Sequence, residues 1–477
     1  MTDNTKDFSA CTSILVGKKA TADGSIMIAR NEDFKTAWPK HFVVHPHHKS
    51  LKQQTFISSD NGFRLELPLI SSKYTATPEW TDQYGTFEED GINEDGVAMS
   101  ATESAYANER VLGADPLVKN GIGEEAIVTV VLPYIKTARE GVARLGKIVE
   151  TKGASETNGV LFADNDEAWY MEIATGHCWA AQRIPDDCYA VVANQLALEE
   201  IDFADTANFM TATNLKKFVT ENRLNSDNFS FNFRKIFGTH ELSDEIYSTP
   251  RVWYGQKQFT PSIISEPTSE SLPFIQKPDN LLHREDLEFL LASHFQRTVY
   301  DPLGVGTAEQ KHRFRPISLA ETQESHILQL RPWLPKEING LHWLALGVTA
   351  QSVFVPFYAS LKDTPVEYQK GIETFSFDSA YWRYKLLGIL VDPHYLTYGE
   401  KLKALQKDLR IKLNHSVHIS DRQALKIFKK DKLISYLTKK SHENAALALK
   451  EVDKLTAQLI TQSTDLSPLN FKTDENL

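Results

Sequence analysis

The chain has 477 residues, enough for one large layered domain with an appendage or for about two to three domains of average size. Hydrophobic residues make up 41% and charged residues 24%, a composition that is ordinary for a globular protein and excludes a wholly disordered or collagen-like chain. The formal net charge of −11 argues against nucleic acid or an anionic membrane as a partner, because both require clustered positive charge.

Targeting and redox signals are sparse. The first ten residues lack the apolar core of a secretory signal, and no later window reaches the ~18 consecutive apolar residues of a membrane-spanning helix. We therefore expect a cytoplasmic protein with no membrane contact. The three cysteines, an odd number without an export signal, predict free thiols and not a disulfide framework. Cys178 and Cys188 lie in apolar, strand-like surroundings and are expected to be small core residues.

The first predicted elements are two β-hairpins. One joins strands at 12–16 and 26–29, and the other covers residues 91–100; both turn on an Asp-Gly pair. If Asp23 and Gly24 are the two central residues of the first turn, the strand register follows from them.

That register has a consequence for the start of the chain. It pairs Gly17 with Arg30, and it places Cys11 opposite the segment just beyond Asp33, within the one or two residues that a bulge could add. Cys11 and the sequence Arg-Asn-Glu-Asp at 30–33 are therefore expected to share the open end of one hairpin.

The middle of the chain changes its periodicity. Helical spacing runs between residues 122 and 152, with a break at Pro133, and a meander of strands then runs to Asn194. This order of strands, helices and strands predicts an α+β layered architecture and not alternating βαβ units. The features predicted beyond it are a mixed, partly helical region at 203–250, a long loop or linker at 259–280, a helix at 283–296, strands at 326–330, 341–348 and 352–358, and Lys-rich helices from about 399 to 462.

Cys11 stands at the start of the first predicted strand. No histidine lies near it in the sequence or across the predicted hairpin, so a cysteine–histidine dyad has no local support. If the bond between Ala10 and Cys11 is cut, however, the new α-amino group lies on the nucleophile's own residue. Such an amine titrates near ~7.7–8.0 and can act as a general base, whereas an internal amide cannot accept the proton.

Self-catalysed cleavage is the hypothesis that explains this position. Removal of the initiator methionine cannot expose Cys11, because ten residues precede it. The thiol would attack the Ala10 carbonyl, move the acyl group from nitrogen to sulfur and release residues 1–10 after hydrolysis. Taken alone, a cysteine near the start of a chain is more often a buried structural thiol.

Several motifs follow one another in an order that resembles a known family. They are ACTSILVGKKATADGSIMIARNED (10–33), GINEDGVAMSATES (91–104), WYMEIATGHCWAAQRIPDD (169–187), VVANQ (191–195), YSTPRVW (247–253), HILQLRPWLP (326–335) and FDSAYWRY (377–384). From Cys11 to about Tyr395, the chain resembles the N-terminal-nucleophile cysteine dipeptidases of the dipeptidase A type, distant relatives of penicillin V acylase and bile salt hydrolase.

The resemblance implies a fold and a division of the chain. The fold is a four-layer αββα sandwich of two antiparallel sheets between helical layers, with a helical C-terminal extension. The leader 1–10 would be removed by self-processing, 11–398 would form the catalytic domain, and 399–477 would form the extension. The resemblance also suggests a homo-oligomer, and it implies neither a metal nor another cofactor.

Five residues match catalytic positions of the family. Cys11 matches the nucleophile, Arg30 a residue that favours the thiolate, and Asp33 a carboxylate that orients the α-amine. Asn194 matches the side-chain amide of an oxyanion hole, and Arg251 matches a second active-site arginine. Singly, each residue beside the cysteine has a structural alternative: a surface ion pair for Arg30 and Asp33, a turn for Asn194 and a solvated strand end for Arg251.

Glu103 departs from the pattern of the acylases, which carry asparagine there. Only a backbone N–H near Glu103 is carried over as the second oxyanion donor, and the Glu103 side chain is assigned instead to the substrate ammonium. The histidines at 45, 47 and 48 are expected to belong to an exposed loop and not to a zinc site, which needs three or four converging ligands.

Together these features predict a metal-independent dipeptidase that forms a thioester on Cys11 and releases free amino acids from dipeptide substrates. Two alternatives stay open. One is an amidase or acylase that cleaves an N-acyl amide, and the other is a non-catalytic interaction protein like the secernins, which the Lys-rich C-terminal helices would suit.

Overall fold

The computed structural model describes residues 11–102, 105–227, 229–467 and 469, and two antiparallel sheets form its centre. The larger sheet has seven strands, in the order β16 (Ile275–Gln276), β14 (Tyr189–Val192), β1 (Thr12–Val16), β2 (Ile26–Asp33), β17 (Thr322–Leu330), β18 (Gly340–Leu346) and β19 (Val355–Tyr358). The smaller sheet has six strands, in the order β15 (Phe209–Thr211), β13 (Trp179–Ile184), β12 (Ala168–Ile173), β11 (Asn158–Ala163), β10 (Ala98–Thr102) and β9 (Asp90–Ile92).

Three short ribbons lie outside the two large sheets. They pair β3 (Val43–His45) with β8 (Tyr74–Ala76), β4 (His48–Lys49) with β7 (Ile70–Ser71), and β5 (Gln54–Ile57) with β6 (Arg64–Leu67). The structure confirms the second predicted hairpin and the three late strands. The predicted meander holds for β11, β12 and β13, but its fourth strand, β14, crosses to the larger sheet and pairs with β1 and β16.

The two sheets pack face to face, and the alternation of side chains along the central strands explains why. Leu15, Ile28 and Leu328 point into the core shared with the smaller sheet. Their strand neighbours Ile14 and Ala29 point the other way, into a core shared with helices. Since successive strand residues face opposite sides, a strand that is apolar at every position is buried on both faces.

Helices cover both outer faces and complete the αββα sandwich. The helices are α1 (Glu109–Ala114), α2 (Glu124–Val131), α3 (Ala138–Lys152), α4 (Leu215–Glu221), α5 (Phe233–Phe237), α6 (Thr249–Phe259), α7 (Arg284–Leu291), α8 (Ala308–Lys311), α9 (Lys336–Asn339), α10 (Ala380–Val391), α11 (Tyr395–Ala424) and α12 (Lys430–Ser463). Helices α2 and α3 pack on the smaller sheet, whereas α6, α7, α10 and α12 pack on the larger one. The predicted four-layer α+β fold is therefore confirmed.

The last two helices are part of the packed structure. Leucines of α11 and α12, among them Leu409, Leu413 and Leu449, share a core with α10 and with strands β18 and β19. The hydroxyl of Ser441 on α12 accepts a hydrogen bond of 3.1 Å from the backbone N–H of Tyr358, so α12 caps the edge of the larger sheet. None of the helices in the described part of the chain is long and apolar enough to cross a membrane.

The predicted register of the first hairpin is wrong. Ser13 pairs with Arg30 and Val16 with Met27, so Gly17 does not lie opposite Arg30. Gly24 does adopt the positive φ of 81° that a tight turn requires, but the strands stop short of it.

Distant parts of the chain hold the connecting loop 17–25 open. The backbone N–H of Gly17 donates to the carbonyl of Cys188 at 3.0 Å, and that of Ala22 donates to the carbonyl of Leu282 at 2.9 Å. Continuing the observed register by one residue brings Cys11 beside Glu32, instead of beyond Asp33.

Contact between α3 and the smaller sheet gives a stability prediction. A Cβ at Gly146 would lie inside the indole of buried Trp179, while a Cβ at Gly113 meets nothing within 4 Å. Overpacking outweighs the gain in helix propensity at Gly146, so we expect Gly146→Ala to lower the free energy of unfolding by about 1–3 kcal/mol. Gly113→Ala should leave it unchanged or slightly higher; equal thermal midpoints for the two variants would contradict the packing described.

Candidate active site

Cys11 lies directly before β1, on the face that points to the smaller sheet, and it is 1% exposed. Its Sγ is 3.1 Å from Nη1 of Arg30 and 3.3 Å from Oε2 of Glu32. Arg30 and Glu32 are two residues apart on β2, so both side chains point to the same face as the thiol. A cation and a carboxyl group thus contact the same sulfur.

The Arg30 side chain is completely buried between the two sheets. Its Nε donates to Oγ of Ser100 at 2.8 Å, and its Nη2 donates to the carboxylate of Glu89 at 2.9 Å. Nη1 also contacts Glu32. Burial alone would lower the pKa of Arg30, but Glu32, the Cys11 thiol and Glu89 together raise it well above its usual value.

The same surroundings act in the opposite sense on the thiol. Burial, and then the charge of Glu32, raise the pKa of Cys11 well above its usual value, and the nearby Arg30 only partly offsets this effect. The Cys11 side chain is therefore held as a neutral thiol.

Glu32 was missed by the sequence reasoning. Burial, together with the charge of Glu89, raises the pKa of Glu32 to about 8. The available signal was the alternation of β2: once the strand is known to continue to Asp33, Glu32 must share the face of Arg30.

Asp33 lies on the opposite face of β2 from Arg30. Its carboxylate accepts hydrogen bonds from Arg315 and from the hydroxyl of Thr322. Burial raises the pKa of Asp33, while Arg315 and Thr322 lower it. The predicted pair of Arg30 and Asp33 is therefore buried, and each member has its own partners.

Arg251 and Asn194 meet on the helix-facing side of β1. Nη1 of the fully buried Arg251 donates to the backbone carbonyl of Cys11 at 2.7 Å and to Oγ1 of Thr12 at 3.0 Å, and Nη2 donates to Oδ1 of Asn194 at 2.5 Å. Burial, and then the charge of Arg315, lower the pKa of Arg251 to about 9. Because the Asn194 amide oxygen accepts from Arg251, its nitrogen is the end that can donate to an oxyanion.

Two predicted features cannot be placed. Glu103 and residues 1–10 lie outside the described residues, so the structure says nothing of the substrate-binding side chain or of the leader. Strand β10, which leads to Glu103, is described as far as Thr102 and passes beside Arg30 through Ser100.

Two buried groups of side chains near Arg30 have ligand-type atoms within 4.8 Å of one another: Glu32, Glu89 and Glu124, and Asp90, Glu324 and His326. Arg30 lies within 4 Å of each carboxylate in the first group and supplies the positive charge that the group requires. In the second group, burial lowers the pKa of His326, but the two carboxylates outweigh it and raise that pKa to about 9. The protonated imidazole of His326 therefore bridges the two carboxylates of this group.

A network links this second group to the thiol. Nε2 of His326 lies 3.0 Å from Oγ of Ser100, which accepts from Arg30, which in turn contacts Cys11. By contrast, His45, His47 and His48 contact separate partners, Glu88, Glu94 and Ser50.

The large cleft on the molecular surface is a different feature. It has a volume of about 790 Å³ and lies between α7 and α11, where Glu288, Tyr395 and Gln406 line it. Cys11 is not among its lining residues, because the thiol is enclosed between the two sheets.

The described residues thus form a four-layer αββα sandwich in which a buried cysteine stands directly before a central strand. The family model of "Peptidase family C69" matches residues 10–408. The chain belongs to this family, whose members are cysteine-type peptidases.

Relatives match along most of their length. A "Probable dipeptidase" of Latilactobacillus sakei is 45% identical, with 100% of both chains covered. The "Dipeptidase A" of Lactobacillus helveticus is 40% identical over 89% of this chain and 91% of its own length. Among solved structures, penicillin V acylase from Agrobacterium tumefaciens is 16% identical, with a TM-score of 0.32, over 72% of this chain and 86% of that one.

The buried ion pairs of Arg30 give a second stability prediction. Arg30→Met would leave Glu32 and Glu89 without their shared cation, and we expect it to lower the free energy of unfolding by about 3–5 kcal/mol. The control is Arg383→Met, which removes an ion pair to the half-exposed Asp453 and should cost about 0–1 kcal/mol. Denaturant unfolding at pH 7 measures both, and similar losses would contradict the assigned role of Arg30.

Proposed function

We propose that the chain is a dipeptidase that hydrolyses dipeptides to free amino acids, with Cys11 as its nucleophile. The observation that carries the proposal is the Cys11 sulfur at 3.1 Å from the buried guanidinium of Arg30, at the head of a central strand. The relatives named dipeptidases, at 35–45% identity, support the substrate class.

The reaction begins once residues 1–10 have been removed and Cys11 carries a free α-amine. This amine takes the proton of the thiol, and Arg30 holds the resulting thiolate. The sulfur attacks the carbonyl carbon of the dipeptide, and the amide nitrogen of Asn194 donates to the oxyanion. Arg251 positions both parts, because it binds the Asn194 amide and the Cys11 backbone.

The second half of the reaction frees the enzyme. The leaving amine takes a proton from the α-ammonium of Cys11, and a thioester remains on the sulfur. Water, activated by the same α-amine, hydrolyses the thioester and releases the second amino acid. Asp33 is proposed to orient the α-amine, a backbone N–H near Glu103 to complete the oxyanion hole, and the Glu103 side chain to bind the substrate ammonium.

Cys11→Ala tests the proposal directly. The variant should keep residues 1–10 and lose dipeptide hydrolysis, because both steps need the sulfur. Intact mass, N-terminal sequencing and amino-acid release measure the two effects. The control is Cys188→Ala, which removes the thiol of a partly exposed cysteine. This variant should release residues 1–10 and hydrolyse dipeptides like the wild type.

A substrate comparison separates the alternatives. Turnover of free dipeptides but not of an N-acylated amide supports the dipeptidase. Turnover of the blocked amide alone would make the protein an acylase, and an inert but correctly processed protein would favour an interaction role.

Asn194→Ala tests the oxyanion hole. Loss of one donor to the oxyanion should lower kcat about 10²–10³-fold with little change in KM, since the bond strengthens in the transition state. Steady-state kinetics on a dipeptide provide the measurement. A variant with unchanged kcat would remove Asn194 from the mechanism.

Assembly, location and domain division stay predictions. We infer a homo-oligomer acting in the cytoplasm, with the catalytic domain at 11–398 and the helical extension at 399–477. Sedimentation of the processed protein measures the first of these.

A further inference from the structure

The uncut chain lacks the base that the proposed mechanism uses. Before cleavage, the nitrogen of Cys11 is an amide, which cannot accept a proton near neutral pH. The surroundings of the thiol nevertheless hold it protonated, since burial and Glu32 raise the pKa of Cys11. Self-cleavage therefore requires a proton acceptor other than the α-amine. The inference rests on the proposed function, because that function includes self-cleavage before Cys11.

Glu32 is placed to be this acceptor. Its Oε2 lies 3.3 Å from Sγ of Cys11, and the pairing of β1 with β2 holds the two side chains on one face of the sheet. Arg30 contacts both the sulfur and the Glu32 carboxylate, so the cation that would hold a thiolate is part of the same triangle.

Three other buried groups nearby, Asp33, Glu89 and His326, are engaged elsewhere. Both oxygens of Asp33 face Arg315 and Thr322 on the opposite side of β2. Glu89 is bound by Arg30 and Lys40, which outweigh burial and lower its pKa, and so it is a weak base. His326 touches the thiol only through Ser100 and Arg30, and it lies between two carboxylates.

We propose that Glu32 is the proton acceptor that activates the Cys11 thiol for cleavage of the bond between Ala10 and Cys11. The Sγ–H proton moves to Oε2 of Glu32, and the sulfur electron pair forms a bond to the Ala10 carbonyl carbon. The C–N bond then breaks, and the departing nitrogen takes the proton back from Glu32. Water hydrolyses the thioester, so residues 1–10 leave with a carboxylate and Cys11 keeps a free amine.

The energetics of the pair suit this exchange. Burial and Glu89 raise the pKa of Glu32 to about 8, so its carboxylate is a much stronger base than that of an ordinary glutamate. When Glu32 takes the proton it also loses the charge that disfavoured the thiolate, while Arg30 keeps its charge beside the sulfur. Once the α-amine exists, it replaces Glu32 as the base. Glu32 therefore acts as a base only in the cleavage that releases residues 1–10.

The first test is leader release from the full chain. We expect Glu32→Gln, made by cell-free synthesis and followed by intact mass, to release residues 1–10 at least about 10²-fold more slowly than wild type. Glu32→Asp, which keeps a carboxylate, should be faster than Glu32→Gln. Glu373→Gln makes the same chemical change at an exposed position and should process at the wild-type rate. Wild-type release by Glu32→Gln, or equal rates for the Gln and Asp variants, overturns the proposal.

The second test separates cleavage from folding and from hydrolysis. A fusion partner whose own protease cuts directly before Cys11 liberates the processed form of Glu32→Gln without self-cleavage. We expect this protein to hydrolyse dipeptides, which shows that it folds and that Glu32 is needed chiefly for maturation. A liberated variant with a wild-type thermal midpoint but no hydrolysis overturns the inference.

The pH dependence gives an independent readout. Glu32 accepts a proton only when ionised, so wild-type leader release should rise with pH and level off above about 8. The charged or titratable groups that face Glu32 are Arg30, Cys11, Lys40, Glu89, Glu124 and Glu324. A flat profile between pH 6 and 9 overturns the inference. Wild-type protein that is active with residues 1–10 attached would instead overturn the proposed function, so the two failures are distinct.

Discussion

A single buried guanidinium, that of Arg30, connects the two central sheets with the Cys11 thiol. It reaches from β2 of the larger sheet to Ser100 and Glu89 beside the smaller one, and it touches the Cys11 sulfur on the way. A buried cation is stable only with partners of opposite charge and good hydrogen-bond geometry. The separation of the two sheets and the position of the thiol therefore depend on the same ion pairs.

This arrangement explains why so much charge can lie inside a hydrophobic sandwich. Lys40, Arg30 and protonated His326 stand among the buried carboxylates, so each acid near the thiol has a cation within reach. The acids are not equivalent, however. Lys40 and Arg30 together lower the pKa of Glu89, whereas Glu32, the one in contact with the sulfur, keeps a raised pKa. Neighbouring carboxyl groups with different proton affinities are the usual basis of acid–base chemistry in a closed site.

The two faces of β1 and β2 carry different groups of side chains. On the inner face, the side chains of Arg30 and Glu32 contact the Cys11 sulfur. On the helix-facing side, Arg251 on α6 binds the Cys11 backbone and the Asn194 amide, and so fixes the Asn194 side chain relative to Cys11. Helix α6 is itself packed on β14, the strand that leads to Asn194. The outer helical layer thus positions the site as much as the sheets do.

The periodicity of the sequence by itself determined most of the helices and strands and the α+β class, since these depend on local patterns of apolar residues. The αββα order of the layers was implied by the family resemblance of its motifs. Only the tertiary structure decided which acid meets the thiol. The Asp-Gly turn suggested a register that would place Cys11 beyond Asp33, but hydrogen bonds from loop 17–25 to Cys188 and Leu282 shift the pairing and bring Glu32 to the sulfur. Contacts between residues so far apart in the chain leave no local pattern, and a change of register alters which side chains meet.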